Sequence, residues 1–373
     1  LSGCGIGSWL SGGESNIEPP AELTEFTPAA TVAPVWSDDF GSAGDGKFLK
    51  LTPLLRDGTI YVSDQAGTVR AYETQSGRRL WEQRLNLPVS AGLGYGDGLL
   101  YAGTRKGQVV ALQPDSGKPL WTGEVSSEIL APPAAEAGVV VVQAVDGKLF
   151  GLSAASGEAL WSVERSEPPL SLRGTAAPII VSGVALSGFA SGKLAAVQLR
   201  DGRLLWETPV AQARGRSEIE RLIDIDSPPV IVGQVLYAAA YQGKIVAVSL
   251  ENGRVLWSRD LSTYSELDAD GANLYLSDER GHVWALDLQS GATVWKQEKL
   301  QARSLSAPTV IGRHVAVGDF QGYVHWLAVD DGRFVARHQV RGGAARTKPV
   351  ADRQTLFIAT QGGVVSALQL KFP

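Results

Sequence analysis

The stretch GHVWALDLQSGATVW, residues 281–295, is the fullest copy of a phrase that recurs along the chain. Each copy opens on a glycine, continues through alternating apolar residues to a polar turn with a second glycine, and closes on a tryptophan. Other complete copies occupy residues 67–81, 107–121, 147–161, 192–206 and 243–257. Such self-similarity indicates a solenoid, a propeller or a linear array.

Two further copies are incomplete. The seventh opens at Gly322 and keeps its second glycine, Gly332, but has Ala336 where the tryptophan is expected. The eighth opens at Gly363 and stops at Leu370. Successive opening glycines lie 40, 40, 45, 51, 38, 41 and 41 residues apart. A repeat of about 40 residues is typical of a propeller blade.

Each repeat has the composition of four short strands. The runs VVAL at 109–112 and IVAV at 245–248 are apolar and largely β-branched, as buried strands are. Triplets such as Asp-Ser-Gly and Glu-Asn-Gly follow them and supply turn residues. A second pair of runs precedes each copy, for example GLLYAG at 98–103. The sequence therefore predicts an all-β fold, a single eight-bladed propeller of four-stranded antiparallel blades.

The tryptophans of the phrase are expected to dock neighbouring blades, because a large ring at one fixed place per blade fits between packed sheets. The segment VAPVW at 32–36 resembles the end of a repeat, and the eighth repeat lacks that strand. The N-terminal strand is therefore expected to complete the last blade and close the ring, which protects sheet edges. The predicted blade-docking residues are Trp36, Trp81, Trp121, Trp161, Trp206, Trp257 and Trp295.

The first residues have the pattern of a lipoprotein signal. Leu-Ser-Gly-Cys at 1–4 matches the end of a bacterial lipobox, and Cys4 is the single cysteine of the chain. We expect lipid on Cys4, with Gly5 rather than Asp favouring the outer membrane. Residues 5–32, acidic and rich in Ser, Gly and Pro, are predicted to be a flexible tether. The propeller is predicted to occupy residues 33–373.

The two long spacings arise from insertions between the last strand of one blade and the first strand of the next. They read SEPPLSLRGTAAP at 166–178 and RGRSEIERLIDIDSPP at 214–229, where 218–222 could form one helical turn. Because the joins are consecutive, their loops are expected to be neighbours on one face. Two interpretations stay open: leucines that cap the core among solvated charges, or a protein-binding patch of exposed leucines oriented by charges.

Other chemistry is weakly represented. The net charge of −5 does not favour nucleic-acid binding, and no apolar run approaches the length of a membrane span. We expect no metal site and no cofactor. The histidines, which show no metal-ligand spacing, are interpreted as ordinary strand or turn residues; they are His282, His314, His325 and His338.

The phrase resembles the docking motif of pyrroloquinoline quinone (PQQ) dehydrogenases, Ala-x-Asp-x-x-Thr-Gly-x-x-x-Trp. Ala285, Asp287, Ser290, Gly291 and Trp295 match it, with Ser in place of Thr. In those enzymes the motif fastens blades together and does not bind the quinone. The enzymes typically hold the cofactor under a vicinal disulfide, which a chain with one cysteine cannot form. The resemblance therefore implies the fold and not the chemistry.

The lipobox, the acidic tether and the eight blades together resemble the BamB family, lipoprotein subunits of the β-barrel assembly machinery of Gram-negative bacteria. The resemblance covers essentially the whole chain, and LSLRG at 170–174 and EIERLIDID at 218–226 are its most specific parts. It implies docking on the periplasmic POTRA domains of BamA. The residues that it assigns to this contact are Leu170, Leu172, Arg173, Asp224 and Asp226.

The sequence therefore predicts a non-catalytic scaffold on the periplasmic face of the outer membrane. BamA is its expected partner, and unfolded outer-membrane proteins are candidate clients. The alternative is a periplasmic quinoprotein-like, PQQ-dependent dehydrogenase or a propeller that binds a small ligand in its central channel.

Overall fold

The computed structural model describes residues 18–41, 49, 51–164, 176–211 and 223–373. Within these ranges all regular elements are strands, and they form eight four-stranded antiparallel sheets. The innermost strands of most successive sheets are in contact, and the innermost strand of the last sheet contacts that of the first, so the sheets form a ring. The predicted eight-bladed propeller is thus confirmed. The described residues contain no helix with the length and apolarity of a membrane span.

The chain enters the ring through β1 (Thr31–Asp39), the outer strand of blade 8, and then builds the blades in order. Blade 1 contains β2 (Leu54–Arg56), β3 (Thr59–Ser63), β4 (Thr68–Glu73) and β5 (Arg79–Arg84). Blade 2 contains β6 (Gly94–Gly96), β7 (Leu99–Gly103), β8 (Gln108–Leu112) and β9 (Pro119–Glu124). Blade 3 contains β10 (Ala134–Glu136), β11 (Val139–Gln143), β12 (Lys148–Ser153) and β13 (Ala159–Glu164). Blade 4 contains β14 (Ile179–Val181), β15 (Val184–Gly188), β16 (Lys193–Gln198) and β17 (Leu204–Pro209).

The second half of the ring follows the same order. Blade 5 contains β18 (Val230–Val232), β19 (Val235–Ala239), β20 (Lys244–Ser249) and β21 (Val255–Asp260). Blade 6 contains β22 (Asp268–Ala269), β23 (Asn273–Ser277), β24 (Val283–Asp287) and β25 (Thr293–Gln297). Blade 7 contains β26 (Thr309–Ile311), β27 (His314–Gly318), β28 (Tyr323–Ala328) and β29 (Phe334–Gln339). Blade 8 contains β30 (Val350–Asp352), β31 (Thr355–Ala359), β32 (Val364–Lys371) and β1.

The ring closes as the sequence predicts. β1 runs antiparallel to β32, with Thr31 opposite Lys371 and Asp39 opposite Val364. The strand begins two residues before the predicted domain boundary at residue 33. Both ends of the chain therefore contribute to one blade, and its outer strand is supplied from the N-terminal side.

The apolar core lies between neighbouring blades. One cluster, for example, joins Tyr237 of blade 5 to Leu274 and Leu286 of blade 6, with Trp257 packed against it. The two middle strands of a blade are almost wholly buried, whereas the outer strands alternate between exposed and half-buried residues. Each blade therefore buries its apolar side chains against its neighbouring blades.

The seven predicted docking tryptophans occupy equivalent places on the outer strands. Each indole N–H donates a hydrogen bond of 2.7–3.1 Å to a backbone carbonyl of the next blade. The ring lies on the turn glycine of that blade, as Trp257 lies on Gly291, where an added Cβ would stand 2.7 Å from the indole. The residue directly opposite each of these tryptophans on the adjoining strand is Ala or Gly.

In blade 7 the tryptophan and the small residue opposite it exchange places. Ala336 stands on its outer strand, and the residue opposite, on β28, is Trp326. Trp326 is 1% exposed and packs in a cluster with Leu356, Ile358 and Leu368 of blade 8. The reason lies in the neighbour: blade 8 has no turn between its third and outer strands, because the outer strand comes from the N-terminal side. An outer-strand tryptophan in blade 7 would have no such turn to dock on.

The strands divide the loops between two faces. Because the strands of a blade are antiparallel, the turn between the second and third strands lies on the same face as the join to the next blade. We call this the join face. The turns between the first and second strands and between the third and outer strands lie on the opposite face.

Residues 18–30, which we call the strap, differ from the expectation of a free tether. They lie against blade 7 and the join that precedes it. The backbone N–H of Ala29 donates to the carbonyl of Val335 at 2.9 Å, and that of Ala21 donates to the carbonyl of Gln301 at 2.9 Å. Phe26 stacks on Phe334 with ring centroids 5.3 Å apart. Composition favoured a tether here, but specific contacts to distant residues order the segment.

Candidate partner interface

The two long joins start and end on the join face, one blade apart. The first connects β13, which ends at Glu164, to β14, which begins at Ile179. The second connects β17, which ends at Pro209, to β18, which begins at Val230. Leu170, Leu172 and Arg173, like the helical turn expected at 218–222, lie outside the described residues.

The end of the second join is described, and it is fastened to blade 4. Ile223 and Ile225 belong to the same apolar cluster as Leu186 and Leu194. The fit is close at Gly188, where a Cβ would stand 2.2 Å from a methyl carbon of Ile225. The two isoleucines of the alternating Ile–Asp segment 223–226 therefore cover the join-face end of the apolar core.

Asp224 and Asp226 are buried, with 1% and 7% of their surface exposed. The backbone of Asp224 forms an isolated bridge with Tyr241 of blade 5, in which the Tyr241 N–H donates to the Asp224 carbonyl at 2.8 Å. The interpretation of these two charges as solvated is therefore wrong. Neither carboxylate is part of the exposed surface, so an effect of either on a partner passes through neighbouring residues.

A groove lies beside the second join. It has a volume of about 300 Å³, and its lining includes Pro209, Ala211, Gln242, Lys244 and Asp260. Lys244 and Asp260, which both line the groove, form a solvent-exposed ion pair of 3.3 Å. The described surface next to the join is thus a shallow, mixed polar and apolar depression.

A buried polar cluster under the strap was missed at the sequence level. Asp319 accepts hydrogen bonds from Arg303 Nε at 2.8 Å and from His325 Nε2 at 3.1 Å, and all three side chains are buried. Arg337 Nε donates to His325 Nδ1 at 3.1 Å, which fixes the ring proton on Nε2. His325 is thus not the ordinary strand residue that the sequence predicts; the signal for its role is a histidine within an apolar strand, VHWLA.

The cluster has a defined charge state. Burial is the main influence on His325 and lowers its pKa, outweighing the opposite effect of Asp319. Burial alone would raise the pKa of Asp319, but hydrogen bonds from His325 and Arg303 lower it. The cluster therefore holds a neutral imidazole and a carboxylate between two guanidinium groups. Among the described residues, no group of His, Cys, Asp and Glu has the geometry of a metal site.

The fold and the docking tryptophans define a propeller of PQQ-like repeats. A family model described as outer membrane protein assembly factor BamB matches residues 27–88 and 65–297. The chain belongs to this family.

Relatives and solved structures agree over nearly the whole length. The BamB of Pseudomonas aeruginosa is 46% identical over 95% of this chain and 93% of its own. The BamB of Escherichia coli is 34% identical over 99% of this chain and 95% of its own. The crystal structure of BamB from Moraxella catarrhalis superposes with a TM-score of 0.82 at 28% identity, covering 91% of this chain and 99% of that one.

One similarity extends to enzymes. The quinohemoprotein alcohol dehydrogenase of Comamonas testosteroni superposes with a TM-score of 0.71 at 13% identity, and the match covers 91% of this chain and 76% of the enzyme. Identity this low shows a shared fold alone.

Proposed function

We propose that this chain is a non-catalytic scaffold subunit of the β-barrel assembly machinery, held on the periplasmic face of the outer membrane by lipid on Cys4. It binds the POTRA domains of BamA and assists the folding and insertion of outer-membrane proteins. Membership of the BamB family over nearly the full length is the observation that carries the proposal.

The binding surface is the pair of long joins on the join face. Leu170 and Leu172 supply apolar contact, and Arg173 orients the partner. Arg173 also pairs with Asp224 or Asp226 in the free protein and so fixes one join against the other. The burial of both aspartates at the end of the second join supports this holding role, because a buried carboxylate is stabilised by a nearby cation.

Co-purification of BamA from detergent-extracted membranes tests the proposal. A Leu170→Ser/Leu172→Ser variant removes two side chains worth about 1.5–3 kcal/mol each when fully buried, so BamA should be lost from the eluate. The matched control is Leu256→Ser, which changes a leucine that is exposed on the outer strand of blade 5. Full retention of BamA by the double variant would contradict the proposed surface.

The anchor is tested separately. Changing Cys4 to Ser in the precursor should release a folded protein into the soluble periplasm. Several acyl groups are expected on Cys4, because a single chain anchors only weakly. Membrane association that survives the change would mean that protein contacts alone hold the chain there.

A further inference from the structure

The strap changes the face from which the N-terminal chain leaves the ring. β1 begins at Thr31, opposite Lys371, and this end of blade 8 is on the opposite face. Without the strap, residues before Thr31 would therefore leave from the opposite face. Instead they turn back and cross the outer side of blade 7.

The contacts follow that crossing in order. Ala29 is bonded to Val335, at the start of β29 and near the opposite face. Halfway across, Arg337 Nη1 donates to the carbonyl of Thr24 at 3.1 Å. At the far end, Ala21 is bonded to Gln301, in the join between β25 and β26 and thus on the join face.

Two arginines, Arg303 and Arg337, donate hydrogen bonds to the strap, and the buried carboxylate of Asp319 positions both of them. Arg303 Nη1 donates to the carbonyl of Ala21 at 2.8 Å while its Nε is bonded to Asp319. Arg337 reaches Asp319 through His325. The guanidinium of Arg337 also lies 5.1 Å from the ring centroid of Phe26. These charge-assisted bonds are preorganised, since the cluster belongs to the ring and not to the strap.

We propose that the strap orients the propeller on its anchor. It brings the exit point of the N-terminal chain to the join face, so the anchor and the two long joins share one face. The protein then presents the join face toward the lipid surface. This inference rests on the proposed anchoring at Cys4; the position of the exit point does not.

Spin labels on blade 6 test the exit point in solution. Arg280→Cys lies in an exposed turn on the join face, and Gln289→Cys lies in an exposed turn of the same blade on the opposite face. Each is paired with Pro20→Cys in a Cys4→Ser background, so that no other thiol is present. The distance from residue 20 should be shorter to residue 280 than to residue 289.

The strap variant is Ala21→Pro/Phe26→Ser/Ala29→Pro. It removes the N–H donor to Gln301, the ring stack and the shorter of the two N–H bonds to Val335, and it changes no residue of the blades. The difference between the two distances should then vanish or reverse. The matched control is Glu25→Ser/Thr27→Ser, which changes two exposed strap residues and should keep the original order. Equal distances in the unaltered strap, or an unchanged order in a folded strap variant, would overturn the proposal.

The orienting role is tested by attaching the lipidated, spin-labelled chain to vesicles that contain a nickel-chelating lipid. The nickel at the lipid surface speeds the relaxation of spin labels that lie close to it. With Cys4 acylated, a cysteine at 280 or 289 is the only free thiol. The label at 280 should relax faster than the label at 289, and the strap variant should abolish this difference. Failure to bind vesicles contradicts the Cys4 anchor and with it the orienting role, while the solution distances still decide the exit point.

Discussion

Blades 6 and 7 are built from the same repeat and dock in different ways. In blade 6, Trp295 on the outer strand lies on Gly332 and donates to the carbonyl of Val329 in blade 7. In blade 7, the tryptophan is one strand further in, and the outer strand carries Ala336. The difference shows that the tryptophan on the outer strand packs on, and donates a hydrogen bond to, the turn of the next blade. Where that turn is missing, the side chain moves inward and the strap covers the outer strand.

The largest expected loss of unfolding free energy comes from removing the docking tryptophan or moving it to the adjoining strand. Trp295→Ala should cost about 3–5 kcal/mol of unfolding free energy, and so should Trp257→Ala in blade 5. Moving the ring inward with Trp295→Ala/Ala285→Trp should not recover the loss, because Gly332 and Val329 lose their partner and the middle strand is overpacked.

The reciprocal variant is Trp326→Ala/Ala336→Trp in blade 7. It restores the usual phrase but offers the tryptophan no turn, so it should remain as unstable as Trp326→Ala alone. Urea denaturation measures both pairs. Recovery to the wild-type free energy in either double variant, or a loss below about 1 kcal/mol in Trp257→Ala, would contradict the docking account.

The turn glycine under the tryptophan should be the next most sensitive. Gly332 has φ of +71°, and an added Cβ would stand 2.5 Å from the ring of Trp295. Gly343 has a similar φ of +76°, but a Cβ there would meet nothing within 4 Å. Both Gly→Ala changes incur the left-handed backbone cost of about 1–2 kcal/mol.

Only Gly332→Ala adds overpacking, worth about 1–3 kcal/mol. Thermal and urea unfolding of the two variants, run side by side, isolate this difference. Equal losses would mean that the tryptophan does not rest tightly on the turn.

The contribution of the strap to stability can be tested at one position that recurs on the outer strand of every blade. The residue before the docking tryptophan is 41–53% exposed in the seven other blades, whereas its equivalent in blade 7, Val335, is 3% exposed. Val335→Ser should therefore cost about 1.5–3 kcal/mol, and Leu256→Ser should change the unfolding free energy by less than about 0.5 kcal/mol. A Val335→Ser loss as small as that of Leu256→Ser would mean that the strap does not seal this edge.

Blade 7 should also make stability depend on pH. Burial lowers the pKa of His314, His325 and His338, all in this blade. Their folded pKa values lie below the unfolded value of about 6.5, so the folded state binds fewer protons and loses stability as pH falls below about 6.5. At His325 the facing groups are Asp319, Arg303, Arg337 and Tyr323.

His325→Gln keeps a donor and an acceptor but cannot titrate. Its melting temperature should fall less between pH 7 and pH 5 than that of the wild type. Identical pH profiles would show that His325 is not part of this linkage. Asp319, whose pKa is lowered, contributes in a separate window near and below pH 4.

The sequence predicted the architecture because the repeat phrase is local. A turn glycine and a tryptophan at fixed spacing recur in every blade that has a neighbouring turn, and the missing last strand of the eighth repeat pointed to VAPVW. The exchange in blade 7 was not predicted, because Trp326 in VHWLA has the same pattern as any buried strand. The strap was not predicted either: its order depends on Phe334 and Arg337, about 310 positions away.

For the interface, spacing alone placed the two joins on one face. The burial of Asp224 and Asp226 could not be predicted in this way. Alternating Ile and Asp usually gives one buried and one exposed side, whereas here the bridge to Tyr241 and the adjoining blade cover both.

The most direct test is the affinity of the purified protein for the soluble POTRA domains of BamA, measured by titration calorimetry with a melting curve for each variant. Arg173→Glu should abolish measurable binding. Its melting temperature should also fall, because the buried aspartates lose their cation, but the melting curve should show a protein that is still folded at the temperature of the titration. Arg254→Glu, the same charge reversal at an exposed turn on the opposite face of blade 5, should bind like the wild type. Equal affinity for Arg173→Glu and Arg254→Glu would contradict the assignment of the join face as the partner surface.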